Sequence, residues 1–554
     1  MTLQFKTASR NKFKYVLILI TWILILFGCS EQEDLGENKI VIGIQADVQT
    51  INPMYAFSLT EGNLVDLLFM KPAKELWNKT LGKIEFEPML AQKWEWSEDS
   101  TSIKLYLRDD VYWSDGKPIT AEDIAFTFDV YSDPKVNSRF FGLFGDFFLK
   151  DNNRINAEKT FNIISPKELA INFPENASPE FLDINLEIIP KHIWSQYSRD
   201  KFESAEVNFN PVTSRAFKLE KWEKEGFISL IRDSSSFLFD PDKLQKLVFK
   251  VIPDYKTRII ELKTGSIDLL DNIKSEDLSE LNDINNLTIT SLRGRDYDYI
   301  GWNHKDPKQD SPNIFFSSKE IRKAMSYAIN RREIVDSYLG KFGELCKGPV
   351  SPMFKLYYDP TVKTYNYNPA MAKEILLENG WSDTDNDGLL EKGSLEFKFD
   401  IYLNSGNPRR NYVAQIVKNN LKAVGIEANI KELETGTFID GLFNGEFDAW
   451  IAGWTIPVPI DLNPYWNSNP EIGFLNFSAY QNDEKDYILE KLQTNLSEKE
   501  KVKLYKSLQE IFHYDEPVTF LYWFDNIIAY NKKISRINFS ILGLVKNAQD
   551  WSLN

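Results

Sequence analysis

EPMLAQKWEWSEDSTSIKLYLRDDVYWSDGKPITAED, residues 87–123, decides the fold. Within it, KLYLR (104–108) alternates apolar and polar side chains, the period-two pattern of a half-buried strand. Asp115-Gly116 is a tight-turn pair, since glycine reaches positive φ without steric cost. Thr120 then stands where an N-cap belongs, with Glu122 and Asp123 in the first turn beside the positive end of the helix dipole. Apolar residues follow, and the spacing predicts a helix over 120–131. A strand, a tight turn and a capped helix in 37 residues indicate a mixed α/β chain, and none of these residues is arranged for catalysis.

Upstream, Lys6, Arg10, Lys12 and Lys14 precede an apolar run, YVLILITWILILF (15–27), and no acidic residue occurs before Cys29. The run is shorter than the roughly 20 residues a membrane-crossing helix needs. A basic start followed by a short apolar stretch is the layout of a secretory signal peptide. It ends in Leu26-Phe27-Gly28-Cys29, which resembles the bacterial lipobox. That resemblance implies cleavage after residue 28, acylation of Cys29 and a short acidic tether over 29–36. Cys346 is then the other cysteine of two and has no disulfide partner, so stability rests on the core. With 65 basic and 81 acidic residues the net charge is −16, which gives no electrostatic case for binding nucleic acid. Aromatics make up 14% of the chain, enough to fill a core and to line a concave ligand site.

Further along, KIVIGIQ (39–45) has the β-branched run of a buried strand. Leu64, Leu67, Leu68 and Leu76 suggest a helix over 61–76. Helical spacing recurs at 256–264, 318–338, 369–378, 412–424 and 497–512, with short strands at 247–252, 397–403 and 428–430. Alternating strands and helices predict α/β lobes with mainly parallel sheets. No Gly-, Ser- or Pro-rich linker separates the lobes, as suits a hinged clamp.

Residues 87–123 also resemble the signature of the family 5 extracellular solute-binding proteins, which include peptide-binding components of ABC importers. The matching positions are Pro88, Leu90-Ala91, Trp94, Leu107-Arg108, Trp113, Asp115-Gly116, Pro118, Thr120-Ala121 and Asp123. Ile51-Asn52-Pro53, Ile252-Pro253-Asp254, Leu262–Asp268, Ile321–Ala324, Ala328–Arg331, Tyr367-Asn368-Pro369, Asn379-Gly380-Trp381, Phe447-Asp448-Ala449 and Gly453-Trp454 extend the resemblance over most of the chain. It implies a two-lobed periplasmic-binding-protein clamp of the class II, cluster C type, with a small domain inserted in the first lobe. Lobe I is expected over 37–80, 205–295 and 518–554, the inserted domain over 81–204, and lobe II over 296–517. The implied function is capture of a peptide-like solute and its delivery to ABC permease subunits, by a monomer held to membrane lipid through Cys29. A sugar or metal-chelate ligand, or a sensor or chaperone role on the same fold, is the alternative.

In this family an Asp three residues after the Gly-Trp tryptophan commonly holds the ligand's amine. Here that place is Pro457, which has no carboxylate and no N–H, and the next carboxylate is Asp461. The other residues expected at the ligand are Phe57, Ser58, Leu59, Phe140, Trp302, Trp454, Trp466 and Tyr522. Arg409, beside Arg410, opens a helix after a strand-end loop, where α/β ligand sites lie. Both are expected either to fork a ligand carboxylate or, as the better reading, to begin the helix in solvent. DTDNDG (383–388) resembles the opening of a Ca²⁺ loop, but the twelfth position is Ser394, so turn chemistry is the better reading and no metal is expected. No cofactor is expected either. The histidines at 192, 304 and 513 are far apart, and no nucleophile elbow or phosphate-binding loop occurs. The chain is therefore read as a binder, not an enzyme.

Overall fold

The computed structural model describes residues 38–309, 311–494 and 496–554. Cys29, the 1–28 signal segment and the 29–36 tether lie outside the described residues. β1 (Lys39–Ile44) is buried over its central four residues and runs parallel to a later strand, Lys246–Val251. A helix, Leu59–Leu68, follows and stops well before Leu76. Pro72 has no N–H to continue it, and the chain turns into the hairpin of β2 (Ala73–Asn78) and β3 (Lys83–Pro88).

The deciding stretch folds as read. β4 (Ala91–Trp96) and β5 (Ser102–Leu107) pair antiparallel, and the Ala121–Tyr131 helix follows with Thr120 and Asp123 forming a reciprocal cap. β6 (Phe161–Ser165) and β7 (Glu168–Asn172) complete a small antiparallel sheet in the order β4-β5-β7-β6. The chain then adds β8 (Phe217–Glu223), β9 (Phe227–Arg232), β10 (Lys246–Val251), the Tyr255–Thr264 helix and β11 (Leu269–Leu270).

The long β12 (Leu287–Trp302) leaves this first lobe and enters the second. The single helix expected over 318–338 is broken after Ala328. Ile329 is extended, and the Asn330 side chain caps a new turn by accepting from the Glu333 N–H. β13 (Gly343–Leu345), the Pro369–Glu378 helix and the short hairpin of β14 (Glu391–Lys392) and β15 (Leu395–Glu396) lead into β16 (Lys398–Asn404). The Pro408–Lys422 helix, β17 (Glu427–Leu433) and β18 (Ala449–Thr455) follow. The Glu498–Asp515 helix then feeds β19 (Val518–Asn531), which returns to the first lobe.

One sheet of 11 strands therefore runs through both lobes, in the order β17-β16-β18-β12-β19-β11-β1-β10-β9-β8, with β13 beside β19. It is mixed rather than mainly parallel. β1 is parallel to β10 and β11, and β16 to β17 and β18, but β12 is antiparallel to β18 and β19. The reason is the crossing: β12 goes out and β19 comes back as neighbours, so the centre of the sheet must be antiparallel. Apolar cores divide accordingly. One pair of clusters draws on residues 40–287 and 527–551, and the other on residues 297–523.

The crossing has a built-in irregularity. Leu292 pairs with Asn526 and Asp296 with Phe524, so residues 293–295 face Asp525 alone. Gly294 sits against the Phe524 carbonyl so closely that any Cβ would collide with it. Its N–H donates to Asp525 Oδ1 at 3.1 Å, and its carbonyl accepts from Ser351 at 3.0 Å. Such bulges bend a strand and increase its local twist.

Lobe I also contains a buried ionic network. Lys546 Nζ lies 2.7 Å from Glu75 Oε2 and 3.2 Å from Asp66 Oδ2, and Lys71 Nζ lies 3.0 Å from Glu75 and 3.3 Å from Glu187. Arg139 reaches Glu187 at 3.2 Å and also donates to the carbonyls of Pro53 and Ala56. Burial alone would raise the Glu75 carboxyl, but Lys71 and Lys546 outweigh it and hold it at about 2. The loop after β1 is thereby tied to the C-terminal segment.

Candidate functional site at the lobe crossing

At the lobe II end of the crossing, β12, β18 and β19 lie side by side, with Asp298 opposite Gly453 on one neighbour and Tyr522 on the other. The Asp298 side chain is 1% exposed. Arg409 Nε donates to its Oδ2 at 2.9 Å, Arg410 Nη2 to its Oδ1 at 3.1 Å, and the Tyr522 hydroxyl to Oδ2 at 2.8 Å. Burial would raise this carboxyl, but the two guanidinium charges prevail and hold it at about 2.

Local sequence explains how the arginines arrive there. Gly406 takes φ +75° at the end of β16, Asn407 accepts from the Arg410 N–H as N-cap, and Pro408 opens the helix. The first turn then points Arg409 and Arg410 at β12. Arg410 Nη1 also donates to Asn404 Oδ1 at 2.8 Å, and the Arg409 guanidinium lies 3.8 Å from the Phe524 ring centroid. Neither arginine begins the helix in bulk solvent, although Arg409 keeps 23% of its side chain exposed.

Gly453 makes the ion pair possible. A Cβ there would overlie Asp298 Oδ1, 2.7 Å from the Tyr297 carbonyl and 2.9 Å from Arg410 Nη2. Gly453→Ala is expected to cost about 1–3 kcal/mol through this overpacking. A shift of the urea-unfolding midpoint measures it.

The opposite face of β18 carries an aromatic chain. Trp454 stacks on Tyr299 at 6.3 Å, meets Tyr465 at 5.0 Å and Phe477 at 5.5 Å, and Phe477 meets Phe443 at 5.0 Å. Trp454 is half-buried and Phe443 is exposed, so the chain runs from the core to the surface of lobe II. On lobe I, Phe57 and Leu59 are 76% and 79% exposed and flank Ser58. Ser58 is the N-cap of the Leu59–Leu68 helix, and its hydroxyl accepts from the Glu61 N–H at 3.2 Å.

The remaining expected residues are packed or hydrogen-bonded within the protein. Trp302 is fully buried in the lobe II core against Phe316, and its indole N–H donates to Thr519 Oγ1 at 3.1 Å. Its place at the deep end of β12 removes it from the crossing. Trp466 is likewise a core residue, packed on Phe512 and Phe520. Phe140 is buried and stacked on Tyr131 at 4.5 Å, with Arg139 over its ring. Tyr522 has a buried ring and spends its hydroxyl on Asp298. Asp461 closes its own loop, accepting from the Asn463 N–H at 3.0 Å and Gln493 Nε2 at 3.1 Å.

Asp298, Tyr299, Phe443 and Phe477 were not foreseen. The stretch DYDYIGW (296–302) held a signal for the first: a carboxylate within a buried strand needs cations, and Arg409-Arg410 follow the end of β16. The acidic turn brings carboxylate oxygens of Asp383, Asp385, Asp387 and Glu391 within 4.8 Å of one another. Asp383 and Glu391 accept from the N–H groups of Gly388 and Thr384, as turn chemistry predicts. His192 meets Asp115, His304 the Pro517 carbonyl, and His513 stacks on Tyr365, in three separate places. Cys346 is fully buried, and burial pushes its thiol up. Among the described residues no helix is long and apolar enough to cross a membrane.

Comparison with known proteins agrees with this architecture. The chain is 28% identical to the oligopeptide-binding protein AppA of Bacillus subtilis over 565 aligned positions, covering 98% of this chain and 99% of that protein. The solved structure of Bacillus subtilis AppA in complex with a nonapeptide superposes with a TM-score of 0.69 at 26% identity, covering 93% of this chain and 99% of the other. NikZ from Campylobacter jejuni, solved in complex with Ni(L-His), shares the fold with a TM-score of 0.72 at 24% identity, covering 94% and 100%. Residues 85–472 match the sequence profile of the bacterial extracellular solute-binding proteins, family 5. This is a family of binding proteins, not of enzymes. The chain belongs to the family 5 bacterial extracellular solute-binding proteins.

Proposed function

We propose that this protein captures a peptide outside the cytoplasm and delivers it to the permease subunits of an ABC importer. The observation that carries the proposal is the aromatic chain from Tyr299 through Trp454 to Phe443, at the crossing of two lobes that share β12 and β19. Aromatic walls accept varied side chains through dispersion and burial, as a peptide carrier requires. The bulge at 293–295 supplies the place where the lobes bend toward each other around the ligand. Phe57 and Leu59, exposed on lobe I, become the opposing wall on closure. Similarity to an oligopeptide-binding relative over nearly the whole chain supports the peptide class.

Finer parts of the proposal rest on sequence. The division into lobe I (37–80, 205–295, 518–554), inserted domain (81–204) and lobe II (296–517) assigns one rigid body to each side of the bulge. The basic start, apolar run and Gly28-Cys29 support acylation of Cys29, which keeps a monomeric carrier beside its permease. Native mass spectrometry of the chain purified from its membrane fraction is the test. The expected result is a diacylglyceryl cysteine at position 29 and a co-purifying set of peptides. A water-soluble, unmodified chain refutes the anchor, and a chain that binds no member of a peptide library refutes the peptide class.

A further inference from the structure

Phe57 and Leu59 are largely exposed, so packing does not fix where they point, and the backbone beneath them must do so. Glu61, in the first turn of the Leu59–Leu68 helix, is buried and accepts four backbone N–H groups. Its Oε1 takes those of Gln49 and Thr50 at 2.9 and 3.3 Å, and its Oε2 those of Phe57 and Ser58 at 3.0 and 2.8 Å. One carboxylate thereby ties the two ends of the loop 49–58 together. Burial would raise this carboxyl, but the N–H groups of Ser58 and Gln49 outweigh it and lower it.

The middle of the loop is held by a second charged side chain. Arg139, which follows the Ala121–Tyr131 helix, donates from Nε to the Pro53 carbonyl at 2.8 Å and from Nη1 to the Ala56 carbonyl at 3.0 Å. Its backbone N–H donates to the Met54 carbonyl at 2.8 Å, and the Tyr55 hydroxyl donates to the Val136 carbonyl at 3.0 Å. The guanidinium is fixed in turn by Glu187 at 3.2 Å and by the Phe140 ring, whose centroid lies 4.5 Å away. A rigid fork suits two carbonyls at once, as a flexible ammonium does not. Ordering a loop at the moment of binding costs conformational entropy, which a loop already ordered avoids.

We propose that Glu61 and Arg139 are positioning residues for ligand capture: they hold the 49–58 backbone so that Phe57 and Leu59 stand ready as a preformed apolar wall. Both act through the loop and not on the ligand. The inference rests on the peptide-carrier reading above.

A double-mutant cycle separates positioning from general support of the fold. The probe is a random pentapeptide pool, titrated into the purified full chain and followed by tryptophan fluorescence. In the wild type Phe57→Ala is expected to weaken binding about tenfold. Arg139→Lys keeps a charge beside Glu187 but loses the fork, and Glu61→Gln puts an amide donor where a carboxylate oxygen accepts. Each is expected to weaken binding about tenfold by itself, and adding Phe57→Ala to either to cost less than about twofold more, because the wall is no longer in place to be lost. The same factor for Phe57→Ala in every background overturns the assignment, and so does wild-type affinity in both variants. Hydrogen exchange of the wild type needs no variant: the N–H groups of Gln49, Thr50, Phe57 and Ser58 are expected to be protected before peptide is added. Protection that arises only with peptide overturns the assignment too. A pool that does not bind the wild type is a different result, and refutes the peptide reading and this inference with it.

Discussion

Asp298→Asn is expected to lower the stability of the second lobe by about 3–5 kcal/mol, because it leaves Arg409 and Arg410 facing each other without their shared carboxylate. The substitution keeps the size of the side chain, so the loss reports charge and not packing. Coulomb attraction between the pair members is strong only because the site is dry, and the same dryness makes an uncompensated guanidinium costly. Urea unfolding followed by tryptophan fluorescence measures the effect, since Trp454 and Trp523 lie on the two strands that flank β12. Replacing Arg410 with Met is expected to cost less, because Arg409 and the Tyr522 hydroxyl still satisfy Asp298. An unchanged midpoint for Asp298→Asn would show that the arginines do not depend on this carboxylate.

The second large effect is expected in lobe I. Lys546→Met removes the cation between Asp66 and Glu75 while leaving Lys71 in place, and a loss of about 3 kcal/mol follows from stranding a buried carboxylate. The pH dependence has a definite sign. Glu75 is held at about 2, below its ordinary 4.5, and burial of Asp66 is likewise outweighed by Lys546, Lys71 and Arg215, which lower its carboxyl. Groups depressed in the folded state contribute stability that is fully present above the unfolded value and is lost as pH falls through the folded one. The wild type is therefore expected to lose stability as pH drops from 4.5 toward 2, and the variant to start lower and fall less steeply. Melting temperatures across that range test both statements.

Much of the fold was legible because local chemistry and tertiary structure agree. Thr120 with Asp123, Asn407 with Pro408, and Asn368 with Pro369 each begin a helix where capping rules place one. The errors have equally local causes. The helix expected over 61–76 ignored Pro72, and the one over 318–338 ignored the ability of Asn330 to end one turn and cap the next. Mainly parallel sheets were inferred from alternation alone, which carries no information about two long strands crossing between lobes.

Site residues were harder to read for a physical reason. A tryptophan in a strand has the same local sequence whether its face meets a cavity or a core. Trp302 and Trp454 stand on adjacent strands, yet one is sealed against Phe316 and the other reaches the surface through Phe477. Arginine is different, since a buried guanidinium requires an acceptor. Arg409 and Arg410 were read as meeting a ligand carboxylate or solvent, and the strand order β18-β12-β19 instead brings them to the carboxylate of Asp298.

The course of β19 has a consequence for biosynthesis. Lobe II is assembled from one continuous stretch of chain, but the core of lobe I needs Ile528, Val545 and Trp551, and its ionic network needs Lys546. The half of the molecule that is made first must wait for the last residues before it can close. During export the C-terminal lobe thus has every part it needs while β11 still lacks its partner β19, reversing the usual order in which the N-terminal unit folds first.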